Sequence, residues 1–212
     1  MLTVQSFTFN PFQENTYVIS NNQKQCWIVD PGMFDDREKA QLFEYIASKQ
    51  LVPQAIINTH THIDHIFGVQ AVVDKYNIPF GIHEKDLPLL NVAPTSAAMF
   101  GCDFRLVPQP TFYISETTPL MLGEDEVDIR FVPGHSQGSI AFYYAPGNWA
   151  IVGDVLFQGS IGRTDLPGGH FDTLINSIRT QLFPLPDETV VYSGHGPATT
   201  IGQEKKYNPF LQ

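Results

Sequence analysis

The sequence has few of the features that mark secreted or membrane proteins. Its two cysteines, Cys26 and Cys102, are too few for the disulfide framework of a small secreted domain. No apolar run approaches the roughly 18 residues needed to cross a bilayer, and residues 1–7 contain neither the basic nor the apolar segment of a signal peptide. We therefore expect a cytoplasmic protein that has no membrane partner.

Positive charge is also scarce in this sequence. Lys and Arg number 12 against 22 Asp and Glu, which gives a formal net charge of −10, and no basic cluster offsets it. Because proteins bind nucleic acids largely through Lys and Arg that neutralise phosphates, we expect no nucleic-acid partner. The 212 residues, 42% of them hydrophobic, are enough for one domain with a buried core.

The most informative stretch is a cluster of histidines at 59–65, which reads Thr-His-Thr-His-Ile-Asp-His. A short apolar run at 55–58 precedes it and is typical of a buried strand, and the residues after it resemble a helix start. The cluster therefore lies on a strand-to-helix turn, where neighbouring side chains can converge on one point. Imidazole and carboxylate groups are ligands for zinc and iron, so this turn predicts a metal site rather than a solvated loop.

Three more residues of metal-ligand type follow apolar strands and have glycine beside them. They are His135, Asp154 and His195. Any one of them alone would be interpreted as an ordinary turn residue. Four turns that carry ligands at the same kind of strand end indicate a common site. His83 and His170 do not fit this pattern, and we interpret both as structural.

Hydrophobic periodicity predicts two similar halves, each with strands followed by a helix. The first half has predicted strands at 2–9, 16–19, 26–30, 55–58 and 79–82, a helix capped by Asp35 or Asp36, and a helix at about 67–77. The second half has predicted strands at 126–132, 139–145, 149–153 and 189–192 and a helix over 171–182. Two sheets, each covered by helices, predict a four-layer αββα sandwich of the α/β (α+β) class within a single domain, 1–212.

The segment 83–118 is the least regular part of the sequence, with several prolines and no sustained period. A long irregular segment inside a compact domain is usually functional. We expect it to form a pocket wall or lid; simple packing over the core is the alternative.

The ligand pattern as a whole resembles the metallo-β-lactamase superfamily over essentially the whole chain. The motif residues occur in the family's order, namely His60, His62, Asp64, His65, His135, Asp154 and His195. The resemblance implies the αββα fold and two divalent metal ions, with zinc as the expected metal and iron or manganese as alternatives. It implies that His60, His62 and His135 hold the first ion. Asp64, His65 and His195 would hold the second, Asp154 would bridge the two, and Asp30 would fix the metal loop.

Within the superfamily, the chain is similar to the short single-domain type II glyoxalases. The similarity rests on the stretches 153–157 and 162–165, on the run 194–204, and on Asn-Pro-Phe at 208–210. It implies a hydroxyacylglutathione hydrolase-like enzyme whose substrate is a small-molecule thioester such as S-lactoylglutathione. A hydroxide that bridges the metals would attack the thioester, and Asp64 would be the catalytic residue that orients this nucleophile and collects its proton.

Several differences between this sequence and related enzymes affect which substrate we expect. A carboxylate at Asp154, where some β-lactamases carry cysteine, disfavours β-lactam hydrolysis. The chain stops at Gln212, so we expect no C-terminal helical domain of the kind that contacts glutathione in the classical enzymes. Arg163 and Lys205 or Lys206 are the candidate partners for a substrate carboxylate, although a salt bridge is the expected role of each.

Two other functions are compatible with the same residues. A mononuclear Fe(II) persulfide dioxygenase of this fold would use His60, His135 and Asp154 as a two-histidine, one-carboxylate set. The glycines beside His195 and the run 197–202 favour the hydrolase instead. A non-catalytic, metal-stabilised binding domain is the third hypothesis, and the complete ligand set argues against it.

Overall fold

The computed structural model describes residues 1–102, 104 and 109–212. The described residues form two six-stranded sheets, a two-stranded ribbon and five α-helices. The strands are β1 Thr3–Phe9, β2 Glu14–Ser20, β3 Gln25–Val29, β4 Val52–Ile57, β5 Phe80–Ile82, β6 Phe112–Tyr113, β7 Leu120–Leu122, β8 Asp125–Phe131, β9 Ile140–Tyr144, β10 Trp149–Gly153, β11 Leu156–Phe157, β12 Ser160–Ile161, β13 Val190–Ser193 and β14 Thr199–Thr200. The helices are α1 Asp36–Ser48, α2 Val69–Tyr76, α3 Leu87–Met99, α4 Phe171–Ser177 and α5 Ile201–Tyr207.

The strand order places several strand ends at one edge of each sheet. The first sheet has the order β1-β2-β3-β4-β5-β6, with an antiparallel start and parallel pairs from β3 onward. The second has the order β14-β13-β10-β9-β8-β7. In it, β8 and β10 both run antiparallel to β9, and β13 runs parallel to β10. The carboxyl ends of β8, β10 and β13 therefore lie at the same edge.

Three separate apolar clusters show how these elements are layered. Side chains such as Ile57 and Phe142 fill the space between the two sheets. Ile56, one position along from Ile57, points to the other face of the first sheet and packs in a cluster that includes Leu42 of α1. A third cluster, which includes Leu174, lies between the second sheet and α4 and α5. The layers are thus helix, sheet, sheet, helix, which confirms the predicted αββα sandwich.

Two of the predicted helices are confirmed, one in each outer layer of the sandwich. Asp35 caps α1 by accepting a hydrogen bond of 2.8 Å from the Glu38 backbone N–H. The predicted helix over 171–182 is present as α4 followed by a turn of π-helix, Ile178–Leu182; Leu174, Ile178 and Leu182 of its apolar stripe are buried, whereas Phe171 is about half exposed. None of the helices among the described residues is long and apolar enough to cross a bilayer.

The prediction of irregular structure over 83–118 is wrong for much of that segment, because it contains the 13-residue helix α3. Apolar residues surround this helix instead of forming one stripe: Leu90 is buried, whereas Val92 is half exposed. Pro94 also lies inside the helix, although proline normally disfavours a helix interior. These two features hide the helical period in the sequence. Residues 103 and 105–108 of the segment lie outside the described residues.

Candidate metal centre

Each predicted ligand lies on a turn that follows a strand, and the turns meet where the two sheets come together. His60 follows β4, His135 follows β8, Asp154 follows β10 and His195 follows β13. Two backbone hydrogen bonds join the sheets at this place: Ile140 N–H to Thr59 O at 2.9 Å, and Asn15 N–H to Gly194 O at 2.7 Å. The ligands from separate parts of the chain are therefore brought into one cluster.

Three histidine nitrogens converge on one side of this cluster. The Nε2 atom of His135 lies 2.8 Å from His62 Nδ1 and 3.2 Å from His60 Nε2. The ligand atoms of the three residues all lie within 4.8 Å of one another, so they could hold a metal ion. We call this group the first triad. Tetrahedral zinc sites commonly use three such imidazole nitrogens.

A second group lies beside it and includes a carboxylate. Asp64 Oδ2 lies 3.1 Å from His195 Nε2 and 3.8 Å from His65 Nε2. The ligand atoms of these three residues also lie within 4.8 Å of one another, and we call them the second triad. Asp154 reaches both groups, since Oδ1 lies 3.4 Å from His65 Nε2 while Oδ2 lies 3.6 Å from His135 Nε2.

The remaining ring nitrogens of two histidines face backbone carbonyls. The Nδ1 atom of His135 lies 2.8 Å from Arg163 O, and that of His195 lies 3.0 Å from Phe12 O. A carbonyl can only accept, so Nδ1 carries a hydrogen in each ring, and the neutral form of each ring presents the lone pair of Nε2 to the cluster. In this tautomer Nε2 can bind a metal.

A chain of hydrogen bonds behind the cluster fixes two more histidines through Asp30. Asp30 accepts from the Thr59 backbone N–H at 2.7 Å and from the Thr59 hydroxyl at 2.5 Å. The Nδ1 atom of His60 lies 3.1 Å from that hydroxyl, and the Nδ1 atom of His65 lies 3.0 Å from Asp30 Oδ2. One buried carboxylate therefore orients a histidine of each triad, in the position from which we expected Asp30 to fix the metal loop.

The electrostatics of the cluster favour the protonation states of metal ligands at two of its members. Burial, reinforced by His135 nearby, lowers the pKa of His62 to about 3, so this imidazole is neutral at pH 7. Burial would raise the pKa of Asp154, but the adjacent His65 and His195 lower it well below its usual range. Asp154 is therefore an ionised carboxylate despite its position inside the protein.

His195 shows how strongly the two carboxylates attract positive charge. Burial lowers its pKa, but Asp154 and Asp64 raise it to about 10. The two carboxylates thus attract a positive charge strongly enough to protonate a neighbouring imidazole. A divalent cation would satisfy the same demand and leave the histidine neutral.

Buried polar atoms without partners give an independent test of whether a cation fits. His65 Nε2 and Asp154 Oδ1 are both buried and have no hydrogen-bond partner among the described residues. Leaving such groups unpaired normally costs free energy, so buried polar atoms in native proteins nearly always have a partner. Both atoms face the centre of the cluster, and a metal ion would satisfy both. The residues therefore fit the group that the resemblance implies.

The cluster forms the floor of a cavity of about 460 Å³. Much of its wall is apolar and comes from α3, from the ribbon β11–β12 and from Phe12. Leu89, Val92 and Ala93 are the apolar residues that α3 contributes. Arg163 also lines the cavity, where its guanidinium donates two hydrogen bonds to Asp165, at 2.8 and 2.7 Å.

The other residues singled out in the sequence lie outside the two triads. His83 Nε2 lies 3.2 Å from Glu116 Oε2, and the His83 ring stacks on Phe131. His170 is the N-cap of α4 and accepts from the Thr173 backbone N–H. Lys205 forms a salt bridge with Asp187 at 2.5 Å and does not line the cavity.

Sequence reasoning missed the residues that brace the metal loop. The Asn58 side-chain amide donates to His65 O at 2.8 Å and to His60 O at 3.2 Å, which satisfies two buried carbonyls of the metal loop. Asn10 donates to Asp64 O at 3.0 Å from a turn far away in the chain. Asn58 could have been noticed as a polar end to an apolar run, whereas nothing near Asn10 signals its role.

Comparison with known proteins agrees with this geometry. The profile of the Metallo-beta-lactamase superfamily matches residues 9–195. The chain is 39% identical over 202 residues to the protein named Probable metallo-hydrolase YqgX of Bacillus subtilis, covering 95% of this chain and 93% of that protein. It is 36% identical over 212 residues to Hydroxyacylglutathione hydrolase GloC of Haemophilus influenzae, covering 99% and 98% of the two chains.

Two solved structures share the fold and a considerable part of the sequence. The structure described as BLEG-1 B3 metallo-beta-lactamase has a TM-score of 0.91 and 40% identity, covering 99% of this chain and 100% of that chain. TTHA1623 in a di-iron-bound form has a TM-score of 0.87 and 37% identity, covering 98% and 100%. The fold and the histidine and aspartate clusters imply divalent metal ions. The chain belongs to the metallo-β-lactamase superfamily.

Proposed function

We propose that this protein is a dinuclear-metal hydrolase that cleaves a small-molecule thioester such as S-lactoylglutathione, as a single domain of 212 residues. The observation that carries the proposal is the pair of triads, each with its ligand atoms within 4.8 Å, on the floor of one cavity. Membership of the superfamily supports a metal-dependent hydrolase. The 36% identity to a hydroxyacylglutathione hydrolase over almost the full length of both chains supports the thioester.

The ligand sets follow the two triads. His60, His62 and His135 would hold one ion, while Asp64, His65 and His195 would hold the other. Asp154 would bridge them, because its Oδ2 lies 3.6 Å from His135 Nε2 of one triad and 3.4 Å from His195 Nε2 of the other. Imidazole and carboxylate ligands suit zinc, iron and manganese, and we propose zinc as the native metal.

When bound, the metals would lower the pKa of a water to about 7 and polarise the thioester carbonyl. Asp64 would orient that water and accept its proton. Burial would raise the pKa of Asp64, but His65 and His195 lower it, so the carboxylate is ionised and can act as a base. Water adds to the carbonyl carbon, the C–S bond breaks, and the proton passes from Asp64 to the departing thiolate. The products are a carboxylic acid and a thiol.

The cavity would hold the substrate against an apolar wall. We propose that α3, within the segment 83–118, forms this wall, since Leu89, Val92 and Ala93 line the cavity above the triads. Such a wall excludes water from the acyl group and thereby strengthens the electrostatic interactions at the carbonyl. Arg163 at the rim is held by Asp165, so it would meet a substrate carboxylate only by exchanging that partner.

Two observations favour other reactions, and the experiment below therefore tests those reactions as well. His135 lies 3.2 Å from His60 and 3.6 Å from Asp154, and these three residues are the two-histidine, one-carboxylate set that a persulfide dioxygenase would use. The BLEG-1 structure, similar at 40% identity, is described as a B3 metallo-β-lactamase, which favours a β-lactam substrate. The second triad would have no role in a mononuclear dioxygenase, and this is why we place the hydrolase first.

The deciding experiment combines elemental analysis with three activity assays on the purified protein. Two metal ions per chain together with S-lactoylglutathione hydrolysis are the expected result. One iron per chain, no thioester turnover, and oxygen uptake with glutathione persulfide would identify the dioxygenase. Hydrolysis of a chromogenic cephalosporin in preference to the thioester would contradict our substrate assignment while leaving the metal assignment intact.

A further inference from the structure

The carboxylate of Asp86 lies directly beneath the first triad, although no sequence motif points to it. Asp86 directly precedes α3, and its side chain is almost completely buried. Oδ2 accepts from the Thr61 backbone N–H at 2.6 Å, and the Thr61 hydroxyl lies 3.1 Å away. Oδ1 accepts from the Gly138 backbone N–H at 2.8 Å. One carboxylate thus joins two loops that are distant in the chain.

These two loops carry the three ligands of the first triad. Thr61 lies between His60 and His62, and Gly138 lies three residues beyond His135. The Gly138 loop packs closely on Asp86: a Cβ atom at Gly138 would lie 2.5 Å from Asp86 N and 2.7 Å from Asp86 Cβ. A side chain at position 138 would push this loop away from Asp86. Any change in Asp86 therefore moves the ligands relative to one another.

The second triad has supports of its own, separate from Asp86. Its His65 is oriented by Asp30, and its His195 by the carbonyls of Phe12 and Gln13. The Asp64 carbonyl accepts from Asn10. These supports come from the first strands and the turns between them, so among the described residues Asp86 shares no hydrogen-bond partner with the second triad.

We infer that Asp86 is a positioning residue that sets the geometry of the first triad alone, by holding the Thr61 and Gly138 backbones at a fixed separation. Both loops present N–H donors, so the group between them must accept on both sides, which a carboxylate does. The partners of Asp86 in the described part of the chain are neutral donors, and the ionised form strengthens these hydrogen bonds. The inference rests on the proposed assignment of two metal sites.

The test measures cobalt binding at each triad separately. Metal-free protein is titrated with Co²⁺, whose visible absorption reports coordination, in two backgrounds. His195→Ala leaves the first triad intact, and His62→Ala leaves the second intact. Asp86→Asn is then added to each background. It preserves the volume of the side chain but turns an NH₂ group towards a backbone N–H on one side.

We expect Asp86→Asn to raise the cobalt Kd about 10- to 100-fold in the His195→Ala background, the usual effect of losing a group that supports a ligand. In the His62→Ala background we expect a change of less than about twofold, since the triad that remains has other supports. Equal effects in the two backgrounds, or none in the first, would overturn the inference. If Asp86→Asn does not fold, Thr61→Val replaces it, because it removes only the hydroxyl donor and must show the same selectivity.

Glu204→Gln is the matched control for general destabilisation. Glu204 is an equally buried carboxylate that accepts three hydrogen bonds, from Thr199, Gly159 and Asn208, and it belongs to neither triad. We expect it to lower Tm without changing cobalt affinity in either background; an affinity loss equal to that of Asp86→Asn would overturn the inference. The proposed function is judged separately, since it fails if the wild-type protein loaded with two metals does not hydrolyse S-lactoylglutathione.

Discussion

A single methyl group at Gly194 should disable the metal centre without removing any ligand. An ideal Cβ at this position would overlap Asp154 Oδ1 and lie 2.8 Å from His65 Cε1. The backbone of Gly194 is outside the left-handed region, so alanine is not excluded by its φ angle. The effect of Gly194→Ala is therefore steric, and it falls on the carboxylate that faces both triads.

The backbone at Gly194 cannot easily move away to make room. Its N–H donates to Gly153 O at 2.8 Å, and its carbonyl accepts from Asn15 N–H at 2.7 Å. Asp154 must then shift by about 1 Å, and a misplacement of this size in an active site can reduce the rate about 100-fold. That factor corresponds to about 2.7 kcal/mol of lost transition-state stabilisation.

The assay compares metal content, kcat/KM for the thioester and Tm of Gly194→Ala with those of Gly147→Ala. Gly147 is a suitable control because its Cβ would also be crowded, at 2.7 Å from Tyr144 and 2.8 Å from Trp149, but far from the ligands in the fold. We expect the control to lose stability and keep its metals. Two metals and kcat/KM within about threefold of wild type in Gly194→Ala would refute this reasoning.

Three further predictions concern the ligands, the metals and the core. His62→Ala and Asp154→Ala should each abolish turnover and reduce the metals found by elemental analysis; full activity in a metal-depleted Asp154→Ala protein would contradict the dinuclear site. Chelation should lower Tm in scanning calorimetry, because a metal at 100 times its Kd stabilises the folded state by about 2.7 kcal/mol; an unchanged Tm on loss of metal would contradict this. Phe142→Ala, which empties a fully buried position between the sheets, should cost about 3–5 kcal/mol in urea unfolding with the metals still bound. A cost below about 1 kcal/mol would show that the inter-sheet core can collapse around the missing ring.

The layered fold could be predicted because its signals are local and repeated. In β2, for example, Val18 packs in the outer cluster and Ile19 in the inner one, so the strand is buried on both faces and appears in the sequence as a short apolar run. The candidate ligands could be grouped for a related reason. A histidine or aspartate just after an apolar run is ordinary at one position but informative at four, and three of the four have glycine beside them.

The parts that escaped prediction depend on contacts between distant residues. The helix α3 has apolar residues on more than one side because one part of it packs on the core and another lines the cavity. Its pattern therefore makes sense only once the cavity is known. The role of Asp86 could not be predicted either, since the sequence around it shows an ordinary acidic residue near a helix start. Its partners, Thr61 and Gly138, lie 25 and 52 residues away.

The topology of the two sheets explains why the chemistry lies where it does. The strands β8, β10 and β13 run in the same direction, so the residues that follow them, His135, Asp154 and His195, arrive at one edge. The parallel strands β3 and β4 deliver Asp30 and the metal loop from the other sheet. Each triad therefore draws on both sheets, and a metal ion bound by either triad would join the two halves. The apolar layer between the sheets contains none of these ligands, so the turns can change their chemistry while the core that supports them stays the same.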